Sequence, residues 1–176
     1  MRKFLILSLF VSFLWQCKAQ YTDNPDRDGY TAMVVSANSY ASNVGIAIMQ
    51  SGGNAVDAAI AVQFALAVVY PNAGNIGGGG FMVLRLHTGE TATLDFREKA
   101  PAVAHRDMYL HPTGEVTRTA IESSQLAAGI PGSVDGMWDA YKKYGTLEWH
   151  TLLQPAIDLA ENGFILTERQ ANELNN

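Results

Sequence analysis

The sequence predicts an α+β domain in which a glycine-led β-hairpin is covered by helices. Three observations carry this. The run Gly77 to Gly80 leads into an apolar strand that turns back into a second, alternating strand ending at Arg97. Before it lies a 15-residue stretch, Ala55 to Val69, that is apolar on nearly every side. After it come segments with apolar residues at helical spacing, broken by Gly145 and Gly163. At 176 residues and 48% hydrophobic, the chain can bury a core and is too apolar for disorder.

Residues 1–19 stand apart. Arg2 and Lys3 form a basic start, Phe4 to Trp15 an apolar run, and Cys17-Lys18-Ala19 a small-x-small pattern before Gln20. This is the pattern of a secretory signal peptide, too short for a membrane span. The competing reading, a lipoprotein signal acylated at Cys17, ranks second because Trp15 and Gln16 are poor neighbours for that processing. The expected destination is the periplasm or the exterior. Removal of residues 1–19 leaves nine basic against 17 acidic residues, a formal charge of −8. An acidic exported domain is a poor partner for nucleic acid or anionic membrane. Cys17 is the chain's one cysteine, so the mature domain has no disulfide and depends on packing.

Residues 20–30 are polar and rich in turn formers, a loose tail. From 31 to 176 the chain reads as one incomplete domain. Thr31 to Ser36 is a short apolar strand candidate. Ala37 to Gln50 carries Val44 and Ile48 at helical spacing and closes at Gly52-Gly53. Asn54 is placed to cap the helix Ala55–Val69, with Asp57 three residues on, and Pro71 ends it. Its length falls short of the roughly 20 residues that span a bilayer, so it is a core helix.

The glycine run fits close approach of backbone to backbone, where a side chain would collide. Phe81 to Leu86 is apolar on both faces until Arg85, as in an interior strand covered above and below. His87 to Glu90 is a turn. Along Thr91 to Phe96, Ala92, Leu94 and Phe96 share one face, with Thr93, Asp95 and Arg97 on the other. In a chain that stays extended, Arg97 and Glu98 point apart and do not neutralise each other. Pro101 to Arg118 reads as loop with a small hairpin. Pro131-Gly132-Ser133 starts a helix with Val134, Met137, Trp138 and Tyr141 inward, stopped by Gly145. Thr146 to Leu153 is a short helical turn, and Pro155 begins a separate helix with Ile157 and Ala160 inward, ending at Gly163. Thr167 caps a last helix whose pattern still runs at Leu174.

Among chemical motifs, a phosphate cradle needs a strand before the glycines and a helix after, and the order here is reversed. His87, His105, His111 and His150 are scattered, without metal-ligand spacing. Ser133 lies in GSVDG rather than GxSxG and reads as a helix-start residue. Asp95 reads as a solvated strand residue before a general base. Arg97 keeps two readings. One is a structural arginine with its head in water, which the pattern favours. The other is a bidentate clamp on a carboxylate.

Five ordered blocks add to this: Gly52 to Ala59, Pro71 through Gly77 to Phe81, Asp95 to Glu98 with Ala100-Pro101, Gly129 to Ser133, and Pro155 to Phe164. Together they resemble the N-terminal part of the large subunit of the gamma-glutamyltransferase (gamma-glutamyltranspeptidase, glutathione hydrolase) family. The resemblance implies a four-layer αββα sandwich of the N-terminal-nucleophile hydrolase type, of which only the N-terminal portion is present. It implies an exported precursor that cleaves itself to expose a threonine, the nucleophile toward gamma-glutamyl amides such as glutathione. It implies transfer of the glutamyl group to water or to an amino-acid or peptide acceptor, with no cofactor or metal. Arg97 falls on the family's α-carboxylate-binding arginine, which overturns the structural preference. No threonine here lies in the family's cleavage-site context, so the expected partners include the remainder of the large subunit and the small subunit of the same precursor. This polypeptide alone is then a fragment or truncated product without activity, with no catalytic residue of its own. The family also contains cephalosporin and glutaryl acylases, and a non-catalytic exported binding module is the reading from another class.

Overall fold

The computed structural model describes residues 31–175. The signal-peptide and tail assignments at residues 1–30 lie outside the described residues, so their fate is not a structural result. The elements are α1 (Ser39–Gln50), α2 (Ala55–Val69), β1 (Phe81–Arg85), β2 (Thr91–Asp95), α3 (Arg118–Glu122), α4 (Ser133–Tyr144), α5 (Trp149–Asn162) and α6 (Glu168–Asn175). A 3-10 turn, Gln125–Ala127, precedes α4. Among the described residues no helix is long and apolar enough to cross a membrane.

The helix α2 is central because it is apolar on nearly every side, with only Ala55 and Ala59 exposed among its apolar residues. Val56, Ala58, Ile60, Ala61, Ala65 and Val69 are buried along it, and it packs against α1, α4 and α5. Alanines let those helices approach closely, while Ile60 and Val69, both fully buried, supply the apolar area. Burying a side chain of that size contributes about 1.5–3 kcal/mol. The start of α2 is set by a capping box. Asn54 Oδ1 accepts from the N–H groups of Val56 and Asp57, and the Asp57 carboxylate accepts from Asn54 N–H at 2.9 Å. Asp57 goes further than a cap: it is fully buried and also accepts from the Thr146 N–H, at 3.0 Å, and from the Thr146 hydroxyl. Asn54 Nδ2 donates to the Tyr144 carbonyl at 2.6 Å. These bonds tie the α4–α5 junction to the first turn of α2. At the other end, the Val69 carbonyl accepts from Asn38 Nδ2 and Gln170 Nε2, both at 3.0 Å, which answers one of the orphan acceptors of a helix C-terminus.

The last helix is capped as its sequence predicts. Thr167 Oγ1 accepts from the Gln170 N–H, and Gln170 Oε1 accepts in return from the Thr167 N–H. On α6 the Arg169 guanidinium, 2.7 Å from Glu173, holds that carboxyl below the usual carboxylate range, and Asn72 Nδ2 adds a further bond.

The hairpin is antiparallel, with Phe81 opposite Asp95 and Arg85 opposite Thr91. Met82, Leu84, Leu94 and Phe96 face the helices and join the main core. The interior-strand expectation for Phe81–Leu86 is corrected here: Phe81 is 66% and Val83 80% exposed. Only one helical layer backs the sheet among the described residues, so just one face is covered. Of the expected sandwich, the structure therefore displays one helical layer and a two-stranded part of one sheet.

Four other expectations change. Thr31–Ser36 is not a strand, because no described segment pairs with it, although Val34 packs against Gly45. On α4 the buried stripe is Ser133, Gly136, Met137 and Ala140, while Val134 and Trp138 stand at the rim. Gly136 faces inward there because the Phe96 ring lies too close for a side chain, and Met137 beside it is buried in the core. The expected Thr146–Leu153 turn and the Pro155 segment give way to one helix, α5, which starts at Trp149 and has Pro155 inside it. A mid-helix proline costs about 3 kcal/mol; burial of Leu152 and Ala156 on either side offsets it. Those two, rather than Ile157 and Ala160, point into the core. The loop 101–118 does contain the small hairpin, as an isolated bridge between Leu110 and Val116.

Thr146→Val keeps the shape of the side chain and removes its hydroxyl from a buried carboxylate. It is expected to destabilise the fold by about 1.5–3 kcal/mol, read as a lower urea midpoint with an unchanged slope.

Candidate functional site

The site grows from the end of the hairpin. The ladder continues one step past the strands: Phe96 N–H donates to Gly80 O at 3.0 Å and Gly80 N–H to Phe96 O at 3.4 Å. This draws the glycine run across the segment Phe96–Glu98. A Cβ on Gly79 would lie 2.6–2.8 Å from Phe96 O, Glu98 N and Arg97 Cα, and one on Gly80 would lie 2.9 Å from the Phe96 ring. Close backbone approach is thus the reason for Gly79 and Gly80, as the sequence predicts. Gly78 is shielded by the Asn75 side chain, whereas a Cβ on Gly77 would meet nothing within 4 Å, so the packing argument does not reach it.

Two glycines outside the run complete the grip. A Cβ on Gly132 would lie 2.1 Å from the Phe96 carbonyl oxygen, and one on Gly136 would lie 2.2 Å from Phe96 Cγ. The first N–H groups of α4, on Gly132 and Ser133, donate to Gly78 O at 2.8 and 3.0 Å. Two of the donors that a helix start could offer a phosphate are thereby committed to the glycine loop. Ser133 is buried at that start, in its expected structural place. Sequence reasoning passed over Gly129, Gly132 and Gly136 as parts of the site. The available signal was a second glycine-rich block, but nothing in it says which strand end it meets.

Asp95 ends β2. Its Oδ1 accepts from the Arg97 N–H at 3.1 Å, the side-chain-to-backbone turn that aspartate makes two residues on. The carboxylate is exposed and this structural bond is its described partner, consistent with its reading as a strand residue. The expectation for the next pair is corrected. Although the ladder runs on through Phe96, Arg97 Nε lies 3.0 Å from Glu98 Oε2, so the two side chains pair rather than point apart. The Arg97 guanidinium also lies 5.9 Å from the centre of the Phe81 ring, within cation–π range. Its side chain is 60% exposed and that of Glu98 is 32% exposed. Arg97 therefore stands at the open end of the hairpin as an accessible, planar donor suited to a carboxylate.

His87, His105, His111 and His150 are not brought together, and no group of three His, Cys, Asp or Glu residues able to hold a metal occurs among the described residues. An apolar groove of about 540 Å³ runs between α2 and α5 beside the glycine loop, lined by Phe64, Val68, Ile76, Leu153 and Ile157. It has no charged lining and offers nothing to the Arg97 end.

Gly136→Ala sets two effects against each other. Alanine in a helix interior is favoured by about 1 kcal/mol, while overpacking a core costs about 1–3 kcal/mol. With the Phe96 ring 2.2 Å from the added carbon, the clash wins. Thermal unfolding is expected to show a net loss of stability.

Comparison with known proteins matches this arrangement. Residues 41–176 fit the gamma-glutamyltranspeptidase family model. The chain is 53% identical over 142 residues to a glutathione hydrolase proenzyme of Pseudomonas sp. (strain A14), covering 81% of this chain and 25% of that protein. It is 49% identical to the glutathione hydrolase proenzyme of Escherichia coli (strain K12), again over 142 residues, covering 81% of this chain and 24% of that protein. Among solved structures, the Helicobacter pylori gamma-glutamyltranspeptidase superposes with a TM-score of 0.76 at 50% identity, over 83% of this chain and 42% of that one. The chain thus spans about a quarter of the length of these curated relatives. The glycine run, the segment Asp95–Glu98 and the helix start at Ser133 all fall inside the matched span, and the chain belongs to the gamma-glutamyltranspeptidase family.

Proposed function

We propose that this chain is the N-terminal part of the large subunit of an exported, self-cleaving enzyme that removes the gamma-glutamyl group from glutathione and related amides. The observation that carries the reading is Arg97, an accessible guanidinium held at the end of a glycine-gripped strand in a block that resembles the family's donor-binding segment. Its role is to bind the α-carboxylate of the glutamyl donor through a bidentate pair. Relatives named glutathione hydrolase proenzymes support both the donor and the precursor character.

The bond-breaking group in this reading is a threonine elsewhere in the precursor, with its own amine as base. The threonine oxygen bonds to the γ-carbonyl carbon, the amide nitrogen leaves protonated as the amine, and the acyl group passes to water or to an amino-acid or peptide amine. Arg97 contributes position rather than chemistry. A donor fixed at its α-carboxylate presents its γ-amide at a defined distance, and such fixing lowers the entropic part of the barrier. Export rests on the basic, apolar and small-x-small pattern of residues 1–19. Glutathione against a glutaryl amide separates this reading from the acylase alternative.

Arg97→Ala in the complete enzyme is expected to raise KM for glutathione by about ten- to a hundredfold, the loss of a charged hydrogen-bonding partner worth about 1.5–3 kcal/mol. Arg97→Lys is expected to recover only part of it, because an ammonium keeps the charge without the fork. An unchanged KM for Arg97→Ala would remove the assignment. The purified 176-residue chain is expected neither to cleave itself nor to release anilide from a gamma-glutamyl anilide. Turnover by it would place the nucleophile inside this sequence.

A further inference from the structure

We propose that Phe81 is a positioning residue for Arg97, its ring serving as a π-floor that holds the guanidinium at the open end of the hairpin. The inference rests on the role proposed for Arg97 and adds an aromatic wall to that site.

The hairpin register brings the two side chains together. Phe81 is paired with Asp95, so Arg97, two residues on, is its diagonal neighbour across the strands. Diagonal neighbours come within reach when one side chain is aromatic and the other long. Met82, Leu84, Leu94 and Phe96 turn toward the helices, which leaves Phe81 and Val83 on the opposite face. There the guanidinium carbon of Arg97 lies over the Phe81 ring, 5.9 Å from its centre.

The helical core does not account for Phe81. Its ring is 66% exposed, whereas Phe96 is packed against Gly80 and Gly136. A cation over the ring gives that exposed aromatic a use, since the negative face of the ring attracts it. The support is firm at its root. Gly80, just before Phe81, exchanges bonds of 3.0 and 3.4 Å with Phe96, and Gly79 is pressed against the backbone of Arg97 and Glu98.

The two side chains are unequal in freedom. Arginine has many rotamers to lose when it is fixed, while a phenylalanine ring turns about two torsions only. A ring face also attracts a cation without taking up any of its N–H donors, so the planar fork stays free for a carboxylate. Holding the arm in this way lowers the ordering cost when the donor binds, and the effect belongs in KM. An aliphatic side chain at 81 offers area but no quadrupole.

The test uses the complete enzyme with glutathione as donor: Phe81→Tyr, Phe81→Leu, Arg97→Ala and the double variant Phe81→Leu with Arg97→Ala. Phe81→Leu keeps apolar bulk and removes the ring. It is expected to raise KM by about two- to fivefold, the range of a cation–π contact at an exposed site, with a smaller change in kcat. Phe81→Tyr keeps the ring and is expected to keep the KM of the parent. The double variant is expected to match Arg97→Ala alone, because Phe81 acts only through the arginine. A packing defect would behave differently: its effect would multiply with that of Arg97→Ala, and Tyr would disturb KM as much as Leu. Either of those results, or an unchanged KM for Phe81→Leu, overturns the role of Phe81 and leaves that of Arg97 standing. If Arg97→Ala itself leaves KM unchanged, the reading beneath the inference fails. Should Phe81→Leu not accumulate as folded enzyme, fluorinated phenylalanines at position 81 keep the ring and drain its negative face. A KM that climbs with each added fluorine supports the π-floor, and a flat series overturns it.

Discussion

The fit of Phe96 against glycine is the constraint on which the other parts depend. Gly80 lies along the ring, Gly136 sits beneath it, and Gly132 faces the carbonyl of the same residue. Two segments, the glycine run and the start of α4, meet at this one residue, each giving up Cβ atoms to do so. Interiors at crystal-like density absorb an added methyl group poorly. Position 96 therefore sets where β2 ends, where α4 begins and how the glycine loop crosses between them. The consequence for the site is immediate, since Arg97 and Glu98 follow Phe96 directly.

A second restraint acts from the opposite side of the helical layer. The Asp57 carboxylate, with no contact to solvent, gathers donors from Asn54 and Thr146. It thereby fixes α2 to the α4–α5 junction, and among the described residues the buried side-chain polar atoms are all paired. The aromatic rings of Trp138, Tyr141 and Trp149, with centroids 5.1–5.3 Å apart, lock the same two helices on their outer side. With α4 held by Asp57 at one end and by Gly78 at the other, the helix cannot shift without disturbing the strand end. Stability and site geometry are thus coupled through one helix.

The site itself divides rigidity from reach. Backbone pinned at Phe96 and Lys99 carries a half-buried carboxylate, and beside it an exposed guanidinium extends to the open end of the sheet. A binding group on such a support combines a precise origin with freedom to close on a ligand. The exposed outer face of the hairpin, with Phe81 and Val83 uncovered, lies next to it. That apolar rim is also what places the Phe81 ring within range of the guanidinium.

Much was determined by sequence alone. The capping box at Asn54, the extent of the Ala55–Val69 helix, the turn at Gly89, the α6 cap at Thr167 and the packing role of Gly79 and Gly80 are local effects, written in neighbouring residues. The ordered blocks likewise singled out Arg97. Only tertiary structure decided the rest. It merged two expected segments into α5 across Pro155, because burial of Leu152 and Ala156 outweighed the local break. It turned Gly136 of α4 inward, because Phe96 comes so near. It also joined Arg97 to Glu98, which strand alternation alone would point apart. Periodicity records which residues prefer to be dry, but not the distance to the surface that dries them, and that distance exists only once segments far apart in the chain have met.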